Sequence, residues 1–164
     1  MPSFRSLFRR IAGVFSSSSA RSGAVAPAPS GAVEVSPRAI RGLTLTYAPR
    51  RDDRADAGEI GWTWVPFAER DGRGKDRPVL IVARQDADRV YAVKLTSRSR
   101  DGDREYLPIG TGPWDAQGRP SWADLDQLYS VPVHGLRRAG VALDRARFDL
   151  VARELGARYG WKRG

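Results

Sequence analysis

Residues 58–82, GEIGWTWVPFAERDGRGKDRPVLIV, constrain the fold more than any other stretch of the chain. Apolar and other residues alternate in its first part, which places Trp62 and Trp64 on one face of an extended strand. Its last part, residues 78–82, is a continuous and mostly β-branched run, typical of a strand buried on both faces. Residues 69–76 between them are charged and contain two glycines. The pattern therefore predicts two strands joined by an exposed loop.

Three further segments have strand-like patterns: residues 89–96, 105–109 and 121–131. A short turn before residue 89 predicts a hairpin with the preceding strand. Asp144 has the character of a helix N-cap and Gly160 that of a helix stop. The apolar stripe between them consists of Phe148, Val151, Ala152, Leu155 and Tyr159. Five short strands followed by one helix predict a mainly β (α+β) fold, a small curled barrel with the helix across one end.

Residues 1–57 differ in composition from the rest, and we predict that they form a tail outside a folded domain of residues 58–164. The tail has nine arginines against four acidic residues, so it contributes +5 of the total net charge of +9. Its Ser-, Pro- and Ala-rich composition indicates disorder. Residues 3–15 have apolar positions at helical spacing. They form either a short amphipathic helix that contacts an anionic membrane or a partner, or a disordered basic leader; the second interpretation is favoured because such a short isolated helix is marginal in water.

Cysteine is absent and the chain has one histidine. These counts exclude a disulfide framework, a cysteine-based metal site and a multi-histidine metal site, and they leave open an all-oxygen site. The lack of cysteine fits a reducing compartment. No apolar run is long enough to predict a secretory signal or a membrane span. The positive net charge favours an anionic partner.

Two sets of residues are candidates for proton transfer. His134 has the usual side chain for this chemistry near neutral pH, but its Pro-Val-His-Gly context favours a solvated turn. Asp124 and Asp126 alternate along the predicted strand 121–131, so they share a face and could act as an acid/base pair. The favoured interpretation is that both carboxylates lie on a solvated face and balance the charge of nearby arginines.

Arg77, Thr96 and Ser97 form the most coherent candidate site. Arg77 begins one strand, and Thr96 and Ser97 end the next, so an antiparallel hairpin returns them to the same edge. One guanidinium and two hydroxyls at one rim could bind a phosphate and stabilise charge that develops on it. The alternative is structural, because arginine often caps a strand and hydroxyl residues are common at strand ends.

The order of these motifs resembles a known family. GEIGWTWVPF, a charged glycine-containing loop, KDRPVLIV, KLTS and SWADLDQLYSV together resemble the PemK/MazF toxins of bacterial toxin–antitoxin pairs, over residues 58–161. The segments GPWDAQGRPSWADLDQL and RFDLVARELGARYGW are similar to an actinobacterial branch of that family.

The resemblance implies an SH3-like barrel of about five to seven strands and a homodimer. It also implies a cytoplasmic endoribonuclease that cuts single-stranded RNA without a metal or other cofactor, uses the neighbouring ribose 2′-hydroxyl and leaves a cyclic phosphate. The implied partners are the RNA substrate, a small antitoxin that occupies the RNA groove, and promoter DNA bound by the toxin–antitoxin complex.

The resemblance also assigns roles to residues. Arg77 matches the catalytic arginine, Thr96 the catalytic threonine, and Ser97 is its neighbour in the site. The resemblance names no general base, and Asp126, from the carboxylate pair described above, is the candidate. The loop 69–76 matches the segment that gates the RNA groove. The residues expected to contact RNA are Glu69, Arg73, Lys75 and Arg98.

Two positions depart from the family pattern. Arg98 stands where glutamine is common, and Tyr129 stands where a basic residue is common. Either change could alter base preference or weaken activity. Trp62 and Trp114 could stack on bases, although core packing is favoured for Trp62.

An alternative from a different class stays open. SH3-like barrels serve many functions, so the chain could be a non-catalytic module that binds nucleic acid or protein.

Overall fold

A computed structural model describes residues 31–67, 69 and 71–164. The predicted helix over residues 3–15 lies outside these residues. The described part contains ten β-strands and one α-helix. The strands are β1 (Val33–Val35), β2 (Thr44–Leu45), β3 (Glu59–Pro66), β4 (Gly74–Arg84), β5 (Arg89–Thr96), β6 (Tyr106–Gly110), β7 (Ser121–Asp124), β8 (Leu128–Pro132), β9 (Arg137–Ala142) and β10 (Lys162–Arg163). The helix α1 is Arg145–Tyr159, between β9 and β10.

Eight of these strands form one curled antiparallel sheet in the order β1-β8-β5-β4-β3-β9, with β7 pairing both β5 and β6. The first half of β5 pairs with β8 and its last two residues pair with β7. The register shifts within the β3–β9, β4–β5 and β6–β7 pairs. Because such irregularities bend and twist a strand, they account for a curled sheet instead of a flat one.

Strand β4 is the centre of the core. Leu80 and Val82 belong to the apolar cluster under α1, whereas Val79 and Ile81 belong to the cluster on the opposite face of the sheet. This confirms the prediction that the run 78–82 is buried on both faces. The mainly β fold with a closing C-terminal helix is likewise confirmed.

Helix α1 has the ends that the sequence predicts. The Asp144 carboxylate accepts a hydrogen bond from the backbone N–H of Arg147 at 3.0 Å, which satisfies one unpaired donor of the first turn. Gly160 adopts the left-handed conformation at φ 73° and donates its N–H to the carbonyl of Gly156. The helix buries Phe148, Val151, Ala152 and Leu155.

The predicted strand 121–131 is two strands. The Asp124 carboxylate accepts hydrogen bonds from the backbone N–H groups of Asp126, at 2.9 Å, and Gln127, at 3.2 Å. These bonds stabilise a turn between β7 and β8, so Asp124 and Asp126 are not alternate residues on one strand face. The sequence analysis also did not predict β9, and the loop predicted over 69–76 is shorter because β4 begins at Gly74.

The predicted tail boundary at residue 57 differs from the structure. Residues 31–57, here called the wrapped segment, pack on the domain: β1 pairs with β8 and β2 pairs with β10. Leu45 is 1% exposed within the core cluster under α1. The Tyr47 hydroxyl donates to the carbonyl of Leu143 at 2.8 Å. A few apolar residues, widely spaced in a polar segment, therefore bind it to the domain, whereas composition alone suggested disorder.

Gly58 makes the junction between the wrapped segment and β3. Its φ of 100° is a conformation that favours glycine, and a Cβ here would lie 2.6 Å from a ring carbon of Tyr47. The close approach lets the Tyr47 ring pack on Phe148, with the ring centroids 5.3 Å apart.

Candidate functional site

A cleft of about 480 Å³ opens at the edge of the sheet where β4 begins and β5 ends. We call it the main cleft. Its walls come from β3, β4, the end of β5 and the loop between β6 and β7. The predicted site residues that line it are Lys75, Arg77, Thr96, Ser97 and Arg98.

The strand register brings Arg77 next to Thr96. Val79 of β4 pairs with Lys94 of β5, and the same antiparallel register continued by two residues sets Arg77 opposite Thr96. Directly opposed residues project to the same face of a sheet. Both side chains are half-buried and both line the main cleft. The juxtaposition that the hairpin pattern predicts is therefore present.

The Thr96 hydroxyl is held by a local turn. Its oxygen accepts a hydrogen bond from the backbone N–H of Arg98 at 3.2 Å. Because this bond uses an oxygen lone pair and not the hydroxyl proton, the proton remains available to donate into the cleft. Ser97 adds a second hydroxyl beside it.

Positive charge exceeds negative charge in the main cleft. Within the described part of the chain, the side chains of Lys75, Arg77 and Arg98 have no hydrogen-bond or ion-pair partner. Two further cations, Arg100 and Arg119, also line the cleft, against the two carboxylates of Asp76 and Asp115. Unpaired guanidinium and ammonium groups that converge on one concave surface attract phosphates.

Both carboxylates of the main cleft are already paired. Asp76 bonds to Arg137, and Asp115 accepts from Arg119 at 2.9 and 3.0 Å. The hydrogen bond from Arg119 is the main cause that lowers the pKa of the Asp115 carboxyl, so this group is ionised at neutral pH. The two acids therefore do not cancel the charge of the unpaired cations.

The loop between β6 and β7 forms one wall of the main cleft. Trp114 is 3% exposed, and its indole N–H donates to the Ser121 hydroxyl at 3.0 Å. A Cβ at Gly112 would lie 2.0 Å from the Trp114 ring, so only glycine allows the loop to fold over this indole.

The two tryptophans considered for base stacking differ from expectation. Trp114 is buried in the core cluster, and Trp62, for which core packing was favoured, is half-buried and lines the main cleft. Trp62 pairs with Pro78 across β3 and β4, one residue from Arg77. Its ring is the aromatic surface that a base in the cleft would meet.

Three predicted site residues lie elsewhere. Glu69 is exposed in the turn between β3 and β4 and does not line the main cleft. Arg73 bonds to Asp71 at 2.7 Å through Nε, and its backbone N–H and guanidinium lower the pKa of that carboxyl. Asp126, the candidate general base, lines a different cleft beside Glu34 and does not face Arg77.

Tyr129, one of the two departures from the family pattern, is a core residue. It is 1% exposed, and its hydroxyl donates to the side-chain oxygen of Gln127 at 3.2 Å. Burial raises the pKa of the phenol, and the charges of Glu34 and Asp124 raise it further, so the hydroxyl stays protonated. Tyr129 thus adds no charge to the cleft, whereas Arg98, the other departure, adds one.

The sequence analysis missed Arg100, Asp115 and Arg119 as cleft residues. Residues 97–104, SRSRDGDR, are basic, but nothing in the pattern indicates which of their arginines faces Arg77. Asp115 and Arg119 lie four positions apart in a Gly- and Pro-rich loop, and their ion pair depends on how that loop folds.

No group of three or more acidic or histidine side chains within residues 31–67, 69 and 71–164 is placed to hold a metal ion. In the same residues, no helix is both long enough and apolar enough to cross a bilayer.

The fold and the cleft define a small, mainly β protein with a cationic groove. The sequence profile described as "PemK-like, MazF-like toxin of type II toxin-antitoxin system" matches residues 56–157, well over half of the chain. The protein belongs to this family. The narrower assignment to an actinobacterial branch stays a prediction. No curated protein matches the chain.

Several solved structures are similar. One, of a MazE–MazF pair from Deinococcus radiodurans, is 17% identical, covers 66% of this chain and 98% of that chain, and has a TM-score of 0.49. An endoribonuclease from a mycobacterial species is 18% identical, with 66% and 94% covered and a TM-score of 0.47. The toxin MazF-mt6 of Mycobacterium tuberculosis is 21% identical, with 62% and 98% covered and a TM-score of 0.43.

Proposed function

We infer that this protein is a toxin that cleaves single-stranded RNA in the main cleft. One observation supports the inference above the others: Arg77, Thr96 and Ser97 meet in a cleft with more positive than negative charge. RNA presents a chain of phosphates to such a surface, and its unpaired bases can stack on an aromatic side chain such as Trp62.

The proposed reaction is an internal phosphoryl transfer. The ribose 2′-oxygen forms a bond to the adjacent phosphorus, and the bond from phosphorus to the 5′-oxygen of the next nucleotide breaks. The 2′-hydroxyl loses its proton and the departing 5′-oxygen gains one. The products are a 2′,3′-cyclic phosphate and a 5′-hydroxyl end.

Arg77 and Thr96 act on the charge of the phosphate. The guanidinium of Arg77 presents several N–H donors, and its side chain has no partner among the described residues that would compete for them. The Thr96 hydroxyl, oriented by the backbone N–H of Arg98, adds a further donor. Donors aimed at the developing charge of the five-coordinate phosphorus lower the barrier. Asp126 is left out of this proposal because it lines another cleft.

The partners follow from the family. A type II toxin is paired with an antitoxin, and one similar structure is that of a MazE–MazF pair. We propose a small antitoxin that covers the cationic cleft, a complex of the two proteins that binds promoter DNA, and a homodimeric toxin that acts in the cytoplasm and inhibits growth. Light scattering of the purified chain, alone and with the antitoxin, measures both assemblies.

Incubation of the purified protein with a mixed single-stranded RNA pool in EDTA tests the function. We expect fragments that end in a 2′,3′-cyclic phosphate, because attack by the ribose 2′-oxygen leaves this end and the roles proposed for Arg77 and Thr96 involve no metal. Ends are identified by mass spectrometry before and after acid opening of the cyclic phosphate. RNA that is bound but uncut would instead support the non-catalytic binding module. Ends with a 5′-phosphate would contradict the proposed attack.

A further inference from the structure

A second cleft adjoins the main cleft. The loop of residues 101–104, together with Arg100, Tyr106, Pro108 and Trp122, lines a space of about 240 Å³ that we call the side cleft. Arg100 lines both clefts. Trp122 of β7 pairs with Thr96 of β5, so the backbones of a side-cleft residue and of a main-cleft residue lie about one strand spacing, roughly 4.8 Å, apart.

Two buried donors of the side cleft have no acceptor. In the described part of the chain, Nε of Arg100 and Nε1 of Trp122 are buried and form no hydrogen bond. Trp122 as a whole is 8% exposed. Leaving a buried donor unpaired costs free energy, and native structures rarely do so without a reason. A ligand that brings an acceptor to these two donors would recover that free energy.

The charge and the walls of the side cleft indicate what kind of ligand fits. Arg100 and Arg104 are balanced by Asp101 and Asp103, in contrast to the cationic main cleft. The carboxylates are engaged locally: Asp101 accepts from the Ser99 hydroxyl, and Asp103 from the backbone N–H of Glu105, each at 3.0 Å. A balanced site has no preference for a phosphate. The side cleft therefore suits a neutral polar group.

The walls are flat. Trp122 and Pro108 are paired across β6 and β7, and the Arg100 guanidinium stacks over the Tyr106 ring at 4.6 Å. Flat aromatic and guanidinium surfaces with hydrogen-bond donors at their edge are what proteins use to bind an unstacked nucleobase. A base carbonyl oxygen has two lone pairs, so it is an acceptor of the kind that these two donors lack.

We propose that the side cleft binds one nucleobase of the RNA next to the scissile phosphate and recognises a carbonyl oxygen on it. Uracil, cytosine and guanine have such an oxygen and adenine does not, so adenine is disfavoured at this position. This proposal rests on the proposed function, because it places the base relative to the phosphate bound by Arg77 and Thr96.

A binding experiment tests the site without cleavage. The probes are a heptamer of 2′-O-methyluridine, whose blocked hydroxyl prevents the proposed reaction, a heptamer of 2′-O-methyladenosine, and an abasic heptamer. The indole N–H resonance of Trp122 is identified by its loss in Trp122→Phe. We expect the uridine heptamer to move it downfield, and the adenosine and abasic heptamers to leave it in place. An equal shift with the abasic chain, or no shift with any probe, would overturn the proposal.

Cleavage of a mixed RNA pool gives a second measurement. Trp122→Phe and Arg100→Lys each remove one of the two donors and keep a ring or a charge. We expect each to weaken discrimination against adenine at one position beside the cut by roughly threefold to tenfold, the value of one hydrogen bond. Arg153→Lys, on an exposed part of α1, serves as the control. Unchanged base preference in both donor variants would contradict the site. A chain that shows the uridine-dependent shift but cuts no RNA would refute the nuclease and keep the base site.

Discussion

Two arginines of the main cleft and three arginines that contact the wrapped segment differ in what their guanidinium groups contact. Arg77 and Arg98 have no hydrogen-bond or ion-pair partner for their side chains among the described residues. Arg84 donates to the carbonyl of Ala55 at 2.8 Å, and Arg89 donates to the carbonyl of Gly31 at 3.2 Å. Arg138 bonds to Glu59 and to carbonyls of the wrapped segment. Arg77 and Arg98 are therefore available to a ligand, whereas Arg84, Arg89 and Arg138 attach the wrapped segment to the domain.

The difference shows why net charge is a poor guide to function. The total of +9 counts every arginine equally, but an arginine that satisfies carbonyls and carboxylates contributes to the fold and little to ligand binding. An unpaired arginine in a cleft raises the repulsion within the folded state, and an anionic ligand relieves it. Substitutions in the two sets should therefore separate activity from stability.

Arg77→Ala should produce the largest effect, and on activity alone. Removal of one donor that stabilises developing charge raises the barrier by roughly 3–4 kcal/mol, a loss of about a hundredfold to a thousandfold in rate. The free energy of unfolding should change by less than about 0.5 kcal/mol, since the side chain has no hydrogen-bond or ion-pair partner to lose within residues 31–67, 69 and 71–164. Single-turnover cleavage and urea denaturation measure the two quantities. Undiminished cleavage by this variant would remove Arg77 from the site.

Leu45→Ala tests whether the wrapped segment belongs to the domain. The side chain is 1% exposed in the core cluster under α1, so its truncation should lower the free energy of unfolding by about 3 kcal/mol. Leu150→Ala is the matched control, because Leu150 is 39% exposed on α1 and should cost less than about 1 kcal/mol. Urea midpoints compare the two. Equal and small losses would show that the segment is only loosely attached.

The sequence predicts the sheet centre and the helix better than the segments around them. In the run 78–82 and in the apolar stripe that follows Asp144, burial is required at several residues in a regular spacing. A periodic pattern of apolar residues therefore predicts both elements. The wrapped segment is bound by isolated contacts, and no periodic pattern in the sequence predicts them. In one of these contacts the Trp161 indole donates to the carbonyl of Ile40 at 2.9 Å. The same holds for β9, a strand at the edge of the sheet whose residues are mostly exposed or half-buried.

The site divides in the same way. Arg77 and Thr96 come together because a hairpin register fixes them, and a register can be read from two adjacent strands. The prediction for Asp126 assumed that residues 121–131 form one strand, on which Asp124 and Asp126 share a face. The structure has a turn at this point, stabilised by the Asp124 carboxylate, so the prediction was wrong. Arg100 and Arg119 lie on loops, where position depends on tertiary contacts. Sequence therefore predicts the part of the site built on strands and not the part built on loops.

Arg138→Ala should give the smallest of these effects, and on stability alone. Glu59 is buried, and it accepts from Nε of Arg138 at 3.1 Å and from the backbone N–H of Arg50 at 3.2 Å. Without Arg138 the carboxylate keeps only the second bond, and we expect a loss of about 2 kcal/mol in the free energy of unfolding.

The double variant Arg138→Ala with Glu59→Gln serves as the control. This variant removes the negative charge that Glu59 would otherwise keep without Arg138. It should therefore recover part of the lost free energy of unfolding, and a double-mutant cycle measures the recovery. Rates of RNA cleavage should match the unsubstituted chain in both variants, because neither side chain lines the main cleft. If the cleavage rate of Arg138→Ala fell as far as that of Arg77→Ala, the contrast between the two sets of arginines would be wrong. Attachment of the wrapped segment to the domain would then affect RNA cleavage in the main cleft.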